Sequence, residues 1–495
     1  MIRERIANAA AIASAVAAFA VPAAVYIVSA SHEPASWDTA ELQGVPYILG
    51  ISHPTGFPFF VLLGYVWSHV VAIGSVAFRM NAMSAVCLGV AALVAYLVAL
   101  RLGATRPIAL LATLWYSFTQ NVWSHANRAE AQDLAVTCET LAIYAFVRWL
   151  QGDDSRWFAG AFAFYGLAMA AHPNALWLLP AFIAGALTAK RRPSLRLVAT
   201  SVALTIAGLA LYLYLPLRSA YIVAHGLDPT LALGGTSGGI FWNYNNPSTP
   251  GGLLIDISGK ESNAASYVLA SFNPVHIQDA LWAFIQGLAE QYGAFVVALT
   301  FVGLVVAWRR DWRTTLFLCL ACTVALVFSV TYSEEGDIGR YRLLALWLAV
   351  PLVAAILPRG AAGWNAVVAR AAMIVFLAGG TFVTARMHPE YFDHQPGEGG
   401  RWVINMLEPF TSPGSVIIAQ WLDATSLAYG AYVDDSLPGR IIVSGGDLES
   451  MPQYKRWAQT HNVYVLVNPR DVDRISGAKR VANIDSYHAL YRVQP

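Results

Sequence analysis

The chain has 495 residues, of which 57% are apolar and only 12% charged, with 16 tryptophans and a formal charge of +1; its mean hydropathy is +0.50. Soluble domains carry roughly one-quarter charged residues, so this composition excludes an ordinary soluble protein and describes a membrane one. Near-zero net charge, with arginines scattered at segment ends, excludes nucleic acid as a partner. Four cysteines, all inside apolar stretches, exclude a disulfide framework or a cysteine zinc site.

Residues 8–30 contain no charge and are long enough to cross about 30 Å of hydrocarbon. The MIRER start resembles a secretory signal, but the run is long and SASHEP is an imperfect cleavage site, so retention as the first span is expected. Further spans are expected at 82–100, 107–124, 132–149, 157–171, 174–189, 196–215, 285–307, 313–331, 342–357 and 364–383, which makes eleven. Short cytoplasmic loops are rich in Lys and Arg. With the N-terminus inside, this count also places inside Arg101, Arg106, Arg148, Arg156, the Lys190-Arg191-Arg192 cluster, Arg309, Arg310 and Arg359. A crossing at 57–77 would invert that pattern, so this apolar segment is expected to lie along the outer face or dip into it.

The first outer loop, 31–81, contains WDTAELQGVPYILGISHPTGFPF. A helix starting at its head puts Asp38 and Glu41 on one face, with Asp38 near the N-terminal amides that favour its charge. His53-Pro54-Thr55-Gly56-Phe57-Pro58 then reads as a stiff turn. The other polar residues on the outer side are Arg128, Glu130 and Asp133, His172 at the AHPN break, Arg218 after YLYLPL, and Glu334, Glu335, Asp337 and Arg340. Arg128 with Glu130 fits an interfacial ion pair or a ligand site. Arg218 fits snorkelling to headgroups or phosphate binding, and His172 fits a hairpin cap or a ligand contact. Glu139 lies deeper in a span, with no partner evident from the sequence.

A carboxylate at the bilayer surface can take the proton of an attacking hydroxyl, while guanidiniums hold a departing lipid phosphate. The first-loop stretch resembles the signature of a family similar to protein O-mannosyltransferases. There a D-S-G-E pattern precedes an H-P-P-G-x-P turn; here Thr39, Ala40 and Thr55 replace the serine, first glycine and middle proline. ANRAEAQDLAV, GLAMAAHPNALWLLPAF and YLYLPLRSAY continue the likeness, which is good over about 30–220.

The resemblance implies a GT-C-like, α-helical polytopic membrane protein that moves a sugar from a polyprenyl-phosphate donor to a hydroxyl of a protein or envelope glycan. Asp38 is its first candidate for the base, with Glu41 second or supporting. His53, Arg128, Glu130, His172 and Arg218 are candidates for donor binding, and Asp133, Trp242, Tyr244, Glu334 and Arg340 are secondary ones. No cofactor is firmly expected. Some members of the wider class use a divalent cation, but no compact ligand set here demands one, and metal-independent inversion is expected.

The long outer loop, 216–284, is Gly- and Asn-rich and has no GxxxxGK[ST] phosphate loop. Phe241, Trp242 and Tyr244 fit either stacking on an acceptor or a flexible lid and interfacial anchor. Beyond residue 384, PGSVIIAQWLD, GRIIVSGG, HNVYVLVNP and ALYRV read as strands around a helix, giving a small extracytoplasmic α/β domain at 385–495 after a transmembrane domain at 1–384. Asp423 is expected to cap the helix after the first strand. The expected location is a bacterial inner membrane. The competing reading is a lipid-linked saccharide transporter or flippase, which would place polar or broken segments near the midplane.

Overall fold

The computed structural model describes residues 2–234, 239–259, 264–332, 338–445, 450–469 and 477–495. The chain separates into two compact units. The first comprises Met1–Ala30, Ser84–Leu211 and Asn263–Asp393; the second comprises Ser31–Met83, Tyr212–Ser262 and His394–Pro495. The second unit thus joins the C-terminal segment to most of the two long outer loops.

Among the described residues, six helices are long and apolar enough to cross a membrane: Asn8–Val28, Val76–Arg101, Leu195–Ala224, Ala294–Thr331, Ile338–Ala355 and Trp364–Arg386. The remaining expected spans are also helical. Arg106–Ser117, Arg156–Ala171 and Pro173–Thr188 are shorter, and Ala131–Leu150 carries Asp133, Glu139 and Arg148. The outermost helices expose their apolar sides: in Trp364–Arg386 only Leu377 and Thr384 are buried, and Val368, Val375 and Phe382 face outward. Apolar surface of this extent has no place in water. The protein is a multi-pass membrane protein.

The first unit packs as membrane helices do, through small residues. A Cβ on Gly208 would fall 2.4 Å from the Gly166 carbonyl carbon, so helices Arg156–Ala171 and Leu195–Leu209 touch backbone to backbone. Phe146, Phe182 and Phe317 fill the neighbouring core, with ring centroids 4.5–5.7 Å apart. The span expected at 285–307 begins differently. Asn273 caps a helix Pro274–Tyr292, Gly293 at φ +85° breaks it, and Ala294–Thr331 follows. Asp311 interrupts that long helix with non-helical torsions, and its carboxylate accepts from the Thr314 hydroxyl at 2.6 Å, restarting the helix near the expected 313 boundary.

The second unit is built on a five-stranded sheet: β1 Val416–Ala419, β2 Ile441–Ser444, β3 Val463–Val467, β4 Ala478–Asn483 and β5 Ala489–Val493. The order is β2-β1-β3-β5-β4, with β1 parallel to β2 and β3, and β5 antiparallel to β3 and β4. Strands β1 and β3 are buried along their whole length, as expected where both faces are covered. The helix Trp421–Tyr432 after β1 packs on the first-loop helix Trp37–Ile48. Polar ties secure the approach to that helix. Gly400 N–H donates to Pro34 O (2.9 Å), Ser426 Oγ to Ala35 O (3.0 Å), and Arg401 bonds Glu33 at 2.8 Å and also pairs with Asp434.

The apolar helix within 57–77 is Pro58–Val70, with 13 residues. At about 1.5 Å per residue it reaches about 20 Å, short of a bilayer core. The described part of the long outer loop is structured. Helices Tyr214–Ala224, Pro250–Ser258 and Ala264–Ala270 occupy much of it, and Phe241 is fully buried. Trp242 O accepts from Ile51 N–H at 3.1 Å, and a Cβ on Gly50 would lie 1.6 Å from Phe241 O. Gly50→Ala should therefore displace backbone and destabilise the second unit by about 2 kcal/mol or more, measurable as a lower midpoint of thermal unfolding in detergent.

Candidate functional site

The second unit assembles the first-loop acids. The helix Trp37–Ile48 starts at the expected place, with Asp38 in its first turn and Ser36 as an N-cap that makes no side-chain bond. A carboxylate thus sits in the first turn, where the positive end of the helix dipole favours its charge. Glu41, one turn on, is fully buried, whereas the Asp38 side chain remains 25% exposed.

His53 joins the two acids. Its backbone N–H donates to Glu41 Oε1 at 2.8 Å, its Nδ1 makes a short contact with Glu41 Oε2, and its Nε2 lies 3.9 Å from Asp38 Oδ2. The last distance is electrostatic rather than a hydrogen bond. Burial pushes the Glu41 carboxyl up against the opposing pull of the imidazole. The expected turn is present: Gly56 N–H returns to His53 O at 2.7 Å, and Pro58 opens the next helix.

Two further groups finish this constellation. The indole N–H of Trp421 donates to Asp38 Oδ1 at 2.9 Å, and the Trp421 ring meets His53 (5.9 Å) and Tyr244 (5.6 Å) edge-on. Arg218, a candidate phosphate ligand, is engaged with the far end of the same helix. Its Nε donates to Leu49 O (2.6 Å) and its Nη2 to Ile48 O (3.2 Å), a cation on the carbonyl end of the helix dipole. Tyr214 adds a bond to Gly50 O at 2.8 Å. Trp242 contributes its carbonyl to Ile51, and its ring packs edge-on with Tyr432 (6.4 Å).

The first unit holds the other candidates. Glu130, nearly buried, lies 3.4 Å from Arg128 and 3.8 Å from Arg340. His172 Nδ1 accepts from Asn174 N–H at 3.1 Å, so it caps the short helix Pro173–Leu178, while its ring packs edge-on against Tyr341. Asp133 is buried in the first turn of its helix. Glu139 is also buried, and its Oε2 makes no hydrogen bond among the described residues. Glu334, Glu335 and Asp337 lie outside the described residues.

Trp421 carries no local sequence signal, its partner Asp38 lying 383 positions away. Asp423 is not the cap expected. Gln420 is the N-cap, and Asp423 lies inside the first turn, 3.4 Å from His488 Nε2. Burial raises its carboxyl against the His488 attraction. Among the described residues, no group of three His, Cys, Asp or Glu side chains is arranged to hold a metal ion.

Residues 38–194 match the family described as the protein O-mannosyl-transferase TMEM260 N-terminal domain. The chain is O-mannosyltransferase-like in sequence and GT-C-like in fold. It is 32% identical to the Mus musculus protein O-mannosyl-transferase TMEM260 over 25% of this chain and 18% of that one. It is 21% identical to the Dictyostelium discoideum protein O-mannosyl-transferase tmem260 over 57% of this chain and 34% of that one. The chain thus spans 18% and 34% of the length of these curated relatives. In fold it is similar to ArnT from Cupriavidus metallidurans bound to undecaprenyl phosphate (TM-score 0.58, 14% identity, 96% of this chain and 97% of that one). It is also similar to the Archaeoglobus fulgidus oligosaccharyltransferase in its apo form (TM-score 0.54, 13% identity, 93% and 70%). At these identities the likeness concerns fold alone.

Proposed function

We propose that this protein is an integral-membrane glycosyltransferase that moves a sugar from a polyprenyl-phosphate donor to a hydroxyl of a protein or envelope-glycan acceptor at the outer membrane face. The observation that carries the reading is the Asp38–His53–Glu41 constellation at the head of a helix, within the segment that matches the O-mannosyltransferase family. The solved relative with bound undecaprenyl phosphate and the mannosyl-transferase names of the curated relatives support the donor class.

Asp38 is the base. The acceptor oxygen attacks the anomeric carbon, the bond from that carbon to the phosphate oxygen breaks, polyprenyl phosphate leaves with the electron pair, and the acceptor proton passes to Asp38. Displacement from the opposite face inverts the anomeric centre. Glu41, buried and bonded twice to His53, supports the base and does not meet substrate. Arg128 and Arg340, beside Glu130, are the phosphate ligands in this reading, and Arg218 also steadies the base-bearing helix through its carbonyl end. The loop charges support an orientation with the N-terminus inside and the α/β segment outside, in a plasma membrane.

The phosphate assignment is tested by binding. Arg128→Gln and Arg340→Gln should each weaken polyprenyl-phosphate binding by about tenfold or more, the loss of a charge-assisted hydrogen bond. Unchanged binding in both would contradict their role.

A further inference from the structure

Resting on the reading of Asp38 as the base, the geometry points to Trp421 as the residue that positions it, making the α/β segment a working part of the reaction. An indole Nε1–H can only donate. While it bonds Asp38 Oδ1 at 2.9 Å, that oxygen is held as an acceptor, and a proton taken from substrate goes to Oδ2, the oxygen turned toward His53. The bond also fixes the rotation of the carboxylate plane, which a surface aspartate would leave free.

Its setting is built for this task. Trp421 is the first residue of the helix after β1, whose four residues are fully buried, so its backbone is anchored to the sheet. Its ring is wedged between His53 on one segment and Tyr244 on another. The turn at His53 and the segment after β1 thus meet at one carboxylate, and Trp421 is the residue that ties the sheet to it.

Replacing the N–H while keeping the ring separates positioning from packing. Trp421→Phe should lower kcat by about 10- to 100-fold while leaving the donor KM within about twofold and the unfolding midpoint near that of the wild type. In an Asp38→Asn background the same change should have no further effect on kcat. Should Trp421→Phe fold poorly, 3-benzothienylalanine at position 421, with sulfur in place of the N–H, reads the same split. Wild-type kcat in either variant, with Asp38→Asn inactive, would overturn the positioning role and leave the base assignment standing. An active Asp38→Asn protein would instead overturn the base.

Discussion

Asp38→Asn will reduce sugar transfer by about 10²- to 10⁴-fold, the range contributed by a positioned general base, with the folded protein recovered in normal yield. The amide keeps an oxygen to accept from Trp421, so the hydrogen bond that ties the helix Trp37–Ile48 to Trp421 survives. What disappears is the ability to take a proton from the acceptor hydroxyl. Donor binding should be preserved, because the proposed phosphate ligands are Arg128 and Arg340. The expected signature is therefore a fall in kcat with little change in donor KM. Assays with sugar-labelled donor and size-exclusion profiles of the two proteins make the comparison.

Glu41→Ala is expected to damage the fold as well as the reaction. Glu41 is fully buried and is the acceptor for both the backbone N–H and the Nδ1 of His53. Truncation strands those groups beside a cavity, a loss of about 3 kcal/mol or more. The His53 ring, freed from its anchor, then loses its alignment on Asp38, so transfer falls with stability. Glu41→Gln separates the two effects. It retains one oxygen for the His53 backbone, and its amide N–H₂ meets Nδ1 as a donor, driving the imidazole proton to the nitrogen that faces Asp38. Burial raises the Glu41 carboxyl. Its stabilising contribution is full below the unfolded carboxyl range and is lost as the pH rises through the raised value. The Glu41→Gln protein should therefore gain stability relative to wild type as the pH is increased, measured as the difference in unfolding midpoint across a pH series.

The acids and the turn were legible in the sequence because their geometry is local. Asp38 and Glu41 are three apart on one helix, and proline and glycine punctuate the chain just after His53. Spans were legible where long apolar runs ended at arginines, and the 307–313 gap fell on the Asp311 break. The helix Pro274–Tyr292 was less legible, because its Asn-Pro start sits in polar sequence and its end rests on the single Gly293. Arg218 was ambiguous because a guanidinium at a segment end suits phosphate, headgroup or helix carbonyls alike. Only the fold supplies Leu49 and Ile48 as its acceptors. Phe241 and Trp242 suit stacking, a lid or an anchor alike because their neighbours are glycines and asparagines, and Gly44 and Gly50 are the residues that admit Phe241 to the core. Trp421 had no local signal, since nothing periodic connects a sheet-following tryptophan to a loop near the opposite end of the chain.

The most direct measurement is transfer by the purified protein reconstituted in liposomes, with polyprenyl-phosphate mannose labelled in the sugar and a peptide rich in serine and threonine. Transfer of the proposed kind joins label to a peptide hydroxyl, releases one polyprenyl phosphate for each sugar transferred, and gives neither product with Asp38→Asn. Label that crosses the bilayer on an intact donor, with no new glycosidic bond, would contradict it.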